Sequence, residues 1–306
     1  MIKKWIFKAI VQKTISFLPY AHRINYFFQK YVTKGVQLSD AYFEDRLGHA
    51  KTHIEFWEKY SDGQPLRSTL ELGAGWYPVV PLALYLYGAE NIRTADITRL
   101  TNARHVQTTI RKFLEYAEDG RLSGFIRMKP ERLEQLRALV EKRIDFEPLI
   151  RALHIEYLIG DARHLPLPND SIDLVHSNNT FEHIYPGILA GLLQEFKRVV
   201  RPGGVHSHFI DLSDHFAHFD PSITIYNFLR FSPVAWRWID NSIQPLNRLR
   251  ISDYRRLYRE AGIPIDAEVL RPGNVAELRS VPADALFLAN SEAENAVSHG
   301  HLISRE

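Results

Sequence analysis

Ser68-Thr69-Leu70-Glu71-Leu72-Gly73-Ala74-Gly75 is the stretch that decides how this chain folds. A short apolar run enters a glycine turn, which reads as a strand ending in a tight loop. Val79 to Tyr87 follows as a helix closed by Gly88, and Asn91 to Asp96 reads as a second strand. Strand, helix, strand at this spacing is a βαβ unit and predicts a parallel sheet. The pattern resumes at Ile155–Asp161 and Ser171–Ser177, then at Val205–Leu212, Ile263–Leu270 and Ala283–Ala289. A helix over 188–200 is read as stopping at Arg201-Pro202-Gly203-Gly204. Ser252 is read as the cap of a helix over 253–261 that stops at Gly262. After Ser291 the chain is polar and predicts a frayed tail.

The chain has 306 residues, and domains run to about 150 each, so two domains or one enlarged α/β domain fit. Lys and Arg number 38 against 36 Asp and Glu, a formal net charge of +2. That balance gives no whole-chain footprint for nucleic acid, and a nucleic-acid partner is not favoured. Hydrophobic content of 45% with 24% charged residues is that of a globular protein and excludes a largely disordered chain. The absence of cysteine excludes disulfides, thiolate metal sites and a cysteine nucleophile. No apolar run reaches the roughly 18 residues that a membrane span needs, and the chain is read as cytoplasmic. Residues 1–62 read as a basic, amphipathic helical extension and 63–290 as the principal domain. Within the latter, 101–154 is a helical insertion and 213–251 an aromatic cap; 291–306 is the polar tail.

The glycine turn departs from a dinucleotide fingerprint, because Pro78 stands where the third glycine would pack helix on strand. Glu71 lies just before the turn, a poor neighbour for phosphate and a good one for a cation. Asp96 ends the second strand, where a carboxylate holds both hydroxyls of a ribose. Asp161 and Ala162 follow the third strand, where an edge carboxylate meets an adenine amino group. A cationic ligand with ribose and adenine but no phosphate matches these groups, and S-adenosylmethionine is such a ligand.

Four stretches carry a family resemblance. Leu70 to Gly75 resembles the first motif of class I S-adenosylmethionine-dependent methyltransferases, and Gly160 to Leu167 resembles their adenine-side motif. Ser171 to Val175 with Thr180 to Ile184 resembles the fourth-strand motif of their small-molecule, type 11-like branch. Glu195 to Gly204 resembles the segment into the fifth strand. The resemblance spans about residues 66–212 and implies an α/β, Rossmann-like, doubly wound, mostly parallel seven-stranded sheet. It implies that Gly73, Ala74 and Gly75 approach the methionine portion of the cofactor and that Glu71 lies beside its amino group. Asn178 would stand near the sulfonium. A methyl transfer to a small-molecule acceptor, such as a sugar or lipid-linked metabolite, follows. The other readings are a nicotinamide oxidoreductase and a non-catalytic cofactor-binding module.

On the acceptor side, His215 is the candidate base, with Asp211 or Asp214 to orient it, and His183 follows the fourth strand. His206 and His208 alternate along a strand and read as packed histidines. Glu182-His183 resembles part of the divalent-metal motif of RNA 2′-O-methyltransferases and ubiquinone-type O-methyltransferases. That motif has a further Glu where this chain has Asn179, so no metal is expected.

Residues 1–39 hold seven cations and no Asp or Glu. Ile2, Trp5, Ile6, Ala9 and Ile10 recur at helical spacing. Residues 1–34 read either as a peripheral membrane contact or as a helix packed on the domain, and the packed reading is favoured.

Overall fold

A computed structural model describes residues 3–18, 37–140 and 142–306. Arg23, Lys30 and Lys34 of the basic amino-terminal segment lie outside the described residues. The sheet has seven strands in the order β3-β2-β1-β4-β5-β7-β6. They are β1 (Ser68–Leu72), β2 (Asn91–Asp96), β3 (Ile155–Ile159), β4 (Ile172–Asn178), β5 (Val200–Asp211), β6 (Ala267–Arg271) and β7 (His299–Arg305). β1 to β5 pair in parallel, and β7 runs antiparallel between β5 and β6. β1 is buried at every residue, as a strand covered on both faces should be.

Helices cover both faces. On one lie α2 (Asp40–Tyr60), α3 (Val79–Tyr87) and the helices of the insertion, α4 (Ala103–Glu118), α5 (Pro130–Val140) and α6 (Phe146–Ala152). Phe43, Trp57, Leu84, Phe113 and Leu149 meet there in one core. Each such side chain removed from water stabilises the fold by about 1.5–3 kcal/mol. α7 (Pro186–Val199) and α9 (Ile251–Ala261) cover the other face with Leu193, Phe196, Tyr254 and Tyr258.

A third cluster stands apart from the sheet. α1 (Lys4–Ser16) seats Trp5 and Ala9 against Phe216, Phe228 and Trp236, the last from α8 (Pro233–Ile239). Lys13 donates to the carbonyls of Arg237 and Asp240 at the end of α8, at 2.9 and 2.7 Å. One side of α1 is therefore a packing surface for the 213–251 segment.

Several expected boundaries differ. The expected polar tail contains β7, an interior strand, while Ala283–Ala289 holds only a short turn at Ala285–Phe287. His299-Gly300-His301 hides β7 in the sequence, since its burial comes from β5 and β6 on either side. Val200 is already strand, so the helix before it ends without a glycine cap. Arg250 and Asp253 cap α9, and the Ser252 hydroxyl instead donates to Asn290 at 2.8 Å. Gly262 does stop that helix, in the left-handed conformation at φ 69°.

Candidate active site

The strand order reverses between β1 and β4, so the loops after these two strands leave toward opposite faces. Between them opens a cleft of about 270 Å³. Glu71, Gly73, Ala74, Gly75, Asn178 and His183 are among the residues lining it.

Backbone forms its floor. Gly73 sits at φ 93°, and a Cβ there would strike the Thr180 side chain. Gly75 adopts φ 58° with open space where its Cβ would be, leaving room for a ligand. Ala74 donates its N–H to Asp96 Oδ2 at 3.0 Å, and Thr98 donates to Asp96 Oδ1 at 3.2 Å. Asp96 thus shapes the glycine turn and keeps lone pairs for a further donor. Burial raises its carboxyl above the ordinary range, against these N–H bonds.

Glu71 is buried, and Thr94 Oγ1 donates to it across 3.5 Å. Burial pushes its carboxyl up to about 8, although the Arg46 charge pulls it down. Arg46 and Tyr42, from α2, form the roof, with the guanidinium 5.0 Å from the Tyr42 ring centre. Asn178 is held from behind. His53 Nε2 donates to Asn178 Oδ1 at 3.0 Å, His53 Nδ1 lies 2.7 Å from Ser207 Oγ, and that hydroxyl lies 2.8 Å from His301 Nε2. The Nδ2 of Asn178 is buried without a partner.

Asp161 and Ala162 are not among the cleft's lining residues. Asp161 is exposed and takes Arg163 Nε at 3.0 Å on each oxygen; that pairing holds its carboxyl at about 2. Ala162 is buried in the second core cluster.

Past β5 lies a second group of polar side chains. Asp211 Oδ2 is 3.2 Å from His215 Nε2 and 3.8 Å from His218 Nε2. Burial alone would raise the Asp211 carboxyl, but these imidazoles hold it far below the usual range. His183 packs its ring 4.9 Å from that of His215 and fixes its Nδ1 2.7 Å from the Pro245 carbonyl. Burial, with His215 alongside, brings His183 down to about 4. Asp214 lies elsewhere: it is buried and accepts from Phe216 N and Asn227. His206 and His208 are fully buried, His208 being stacked between Phe181 and Phe196.

Residues 126–207 match a family model described as a methyltransferase domain. The matched segment, about a quarter of the chain, is similar to a methyltransferase domain. Fifty residues of the chain are 44% identical to a malonyl-[acyl-carrier protein] O-methyltransferase of Yersinia pestis, covering 16% of this chain and 18% of that relative. Among solved structures, a methyltransferase of Methanosarcina mazei aligns at 12% identity and TM-score 0.43, covering 79% of this chain and 93% of that one. A sarcosine dimethylglycine methyltransferase of Galdieria sulphuraria aligns at 18% identity and TM-score 0.43, covering 83% and 85%.

The cleft fits S-adenosylmethionine on the chemistry of its own groups. Glu71 is a buried carboxyl group that a cationic ligand would help to ionise, and Asn178 Nδ2 is a buried donor without a partner. Gly73 and Gly75 let a ligand meet backbone. Sequence reasoning missed the roof. Tyr42 and Arg46 stand one helical turn apart on α2, a visible pair, but nothing local says that α2 crosses the cleft.

Proposed function

We propose that this protein is a class I methyltransferase that moves a methyl group from S-adenosylmethionine to an oxygen of a small-molecule acceptor presented at a membrane surface. The observation that carries this reading is a continuous wall: His183 lines the cofactor cleft and packs on His215, which lies against Asp211. When bound, S-adenosylmethionine supplies the methyl as an electrophilic carbon on a sulfonium. The protein's own work is alignment and the exclusion of water, which an in-line displacement chiefly needs. Asp96 holds the ribose hydroxyls, Glu71 meets the amino group, and Arg46 faces the methionine carboxylate. His215, oriented by Asp211 and backed by His183, receives the acceptor oxygen and eases loss of its proton.

Three features support a lipid-linked acceptor over a free sugar. Phe7 and Ile10 of α1 are 64% and 55% exposed, beyond the side of the helix that packs. Phe17 and Trp238 stand nearby at 76% and 78% exposed, lining the same groove. Lys3, Lys4 and Arg237 flank them, exposed. An anionic, cytoplasmic leaflet suits that combination of apolar and cationic groups. No described helix is long and apolar enough to cross a membrane.

Sedimentation of the intact protein with anionic and neutral vesicles tests the surface. Salt-sensitive binding to anionic vesicles, weakened at least fivefold by Phe7→Ser with Trp238→Ser, is the expected result. Equal behaviour of both proteins would contradict it. Incubation with radiolabelled cofactor and lipid or aqueous cell extracts reads the acceptor class, and label confined to the aqueous products would exclude a lipid-linked one.

A further inference from the structure

Around His215 the chain gathers more metal-ligating side chains than a proton transfer requires. Glu182, His183 and His215 offer ligand atoms within 4.8 Å of one another, and so do Asp211, His215 and His218. The 3.2 and 3.8 Å separations from Asp211 bracket the edge of a tetrahedron, about 3.3 Å for bonds of about 2.0–2.1 Å to zinc. Glu182 supplies an independent sign. It is 2% exposed, and neither carboxylate oxygen has a hydrogen-bond partner. An ionised carboxylate in that position is costly unless a cation balances it. His183 is already prepared as a ligand, because the Pro245 carbonyl fixes Nδ1 and leaves Nε2 to coordinate.

We propose that the cluster centred on His215 binds one divalent transition-metal cation of the class that prefers imidazole and carboxylate, such as Zn²⁺ or Mn²⁺. Glu182 and His183 reach it from the loop after β4, Asp211 and His218 from the end of β5 and beyond. The sequence argument against a metal rested on Asn179 standing where one local motif has a carboxylate. The ligands supplied here come instead from some 30 residues downstream and converge only on folding. The cation would deepen the function proposed above: it faces the acceptor side, next to the cofactor cleft, and lowers the proton affinity of a bound hydroxyl. His215 then holds the ion instead of taking the proton itself. Cation binding does not depend on that reading.

The test uses the full-length protein stripped with chelator, titrated calorimetrically with Zn²⁺ and with Mn²⁺, alongside separate titration with S-adenosylhomocysteine. One ion per chain, a dissociation constant of about 1 μM or below for Zn²⁺ and a raised melting temperature are expected. His215→Gln, which belongs to both groups of ligands, should weaken binding at least 100-fold. Glu182→Gln, isosteric and uncharged, should weaken it at least tenfold. Circular dichroism and unchanged S-adenosylhomocysteine affinity report that the variants fold, and if His215→Gln does not, Glu182→Gln alone decides. Absence of saturable one-to-one binding, or wild-type affinity in a folded variant, would overturn the proposal. S-adenosylhomocysteine binding without metal binding would remove this inference and leave the methyltransferase reading, while metal binding alone would do the reverse.

Discussion

The two halves of the candidate site, the cleft and the histidine cluster beside it, are made by different means. The half after β1 and β2 is backbone: two glycines at positive φ, the Ala74 N–H and one carboxylate that holds the turn. The half after β4 and β5 is side chain: His183, Asp211, His215 and His218, drawn from separate segments. β1 and β2 carry no histidine, whereas β4, β5 and β7 bury His176, His206, His208 and His301. A ligand common to many enzymes is met by main chain, which changes little with sequence. An acceptor peculiar to one enzyme is met by side chains and an added cap.

The histidine-bearing half should make the fold acid-labile, and this is the largest effect expected. His176 and His301 are buried and neutral, with burial bringing each from 6.5 to about 3. The unfolded chain takes up these protons first, so their contribution is complete above about pH 6.5 and drains away as pH falls toward 3. At pH 5 the two together cost about 4 kcal/mol. Urea unfolding at pH 7.5 and pH 5 measures it, and His176→Gln should shrink the difference by about 2 kcal/mol. A stability unchanged between these pH values would show that the histidines are solvated.

Gly73→Ala strikes the other half. Positive φ and the Thr180 side chain oppose a Cβ, at a cost of about 1–3 kcal/mol from strain alone. S-adenosylhomocysteine affinity should drop about 100-fold, whereas affinity near the wild-type value would mean that the turn is not the cofactor's floor.

What was readable in the sequence follows the same division. The βαβ unit and its glycine turn lie within thirty residues, so periodicity and turn chemistry exposed them. β7 was not readable, because Gly300, Ser304 and three polar or basic neighbours give no strand pattern; adjacent strands alone bury it. Arg46 entered the site only because α2 packs across β4 and β5. Asp161 was read at the adenine from its place after a strand, whereas the folded chain pairs its carboxylate locally with Arg163, two residues on. His215 was readable from its place past the strand end, with Asp211 or Asp214 as its partner; folding pairs it with Asp211, and the approach of Glu182 and His183 from the other side was not readable.

Smaller effects sharpen the comparison. Glu71, raised to about 8, must ionise to pair with a cationic ligand. Cofactor affinity should therefore tighten about 50-fold from pH 6 to pH 8, and Glu71→Gln should flatten that slope. A flat profile in the wild type would remove Glu71 from the contact. Smallest of all, Asp161→Ala should change cofactor affinity by less than about twofold, since the carboxylate is exposed and paired to Arg163. A tenfold loss would restore Asp161 to the adenine.

The central claim is that the cleft between the loops after β1 and β4 holds S-adenosylmethionine. Calorimetric titration of the wild type and of Asp96→Ala with S-adenosylhomocysteine and NAD in parallel addresses it most directly. The account predicts one S-adenosylhomocysteine per chain, no NAD binding, and affinity about 30-fold weaker in the folded variant, the loss of charge-assisted bonds to two hydroxyls. Binding of NAD, or the same S-adenosylhomocysteine dissociation constant in both proteins, would contradict it.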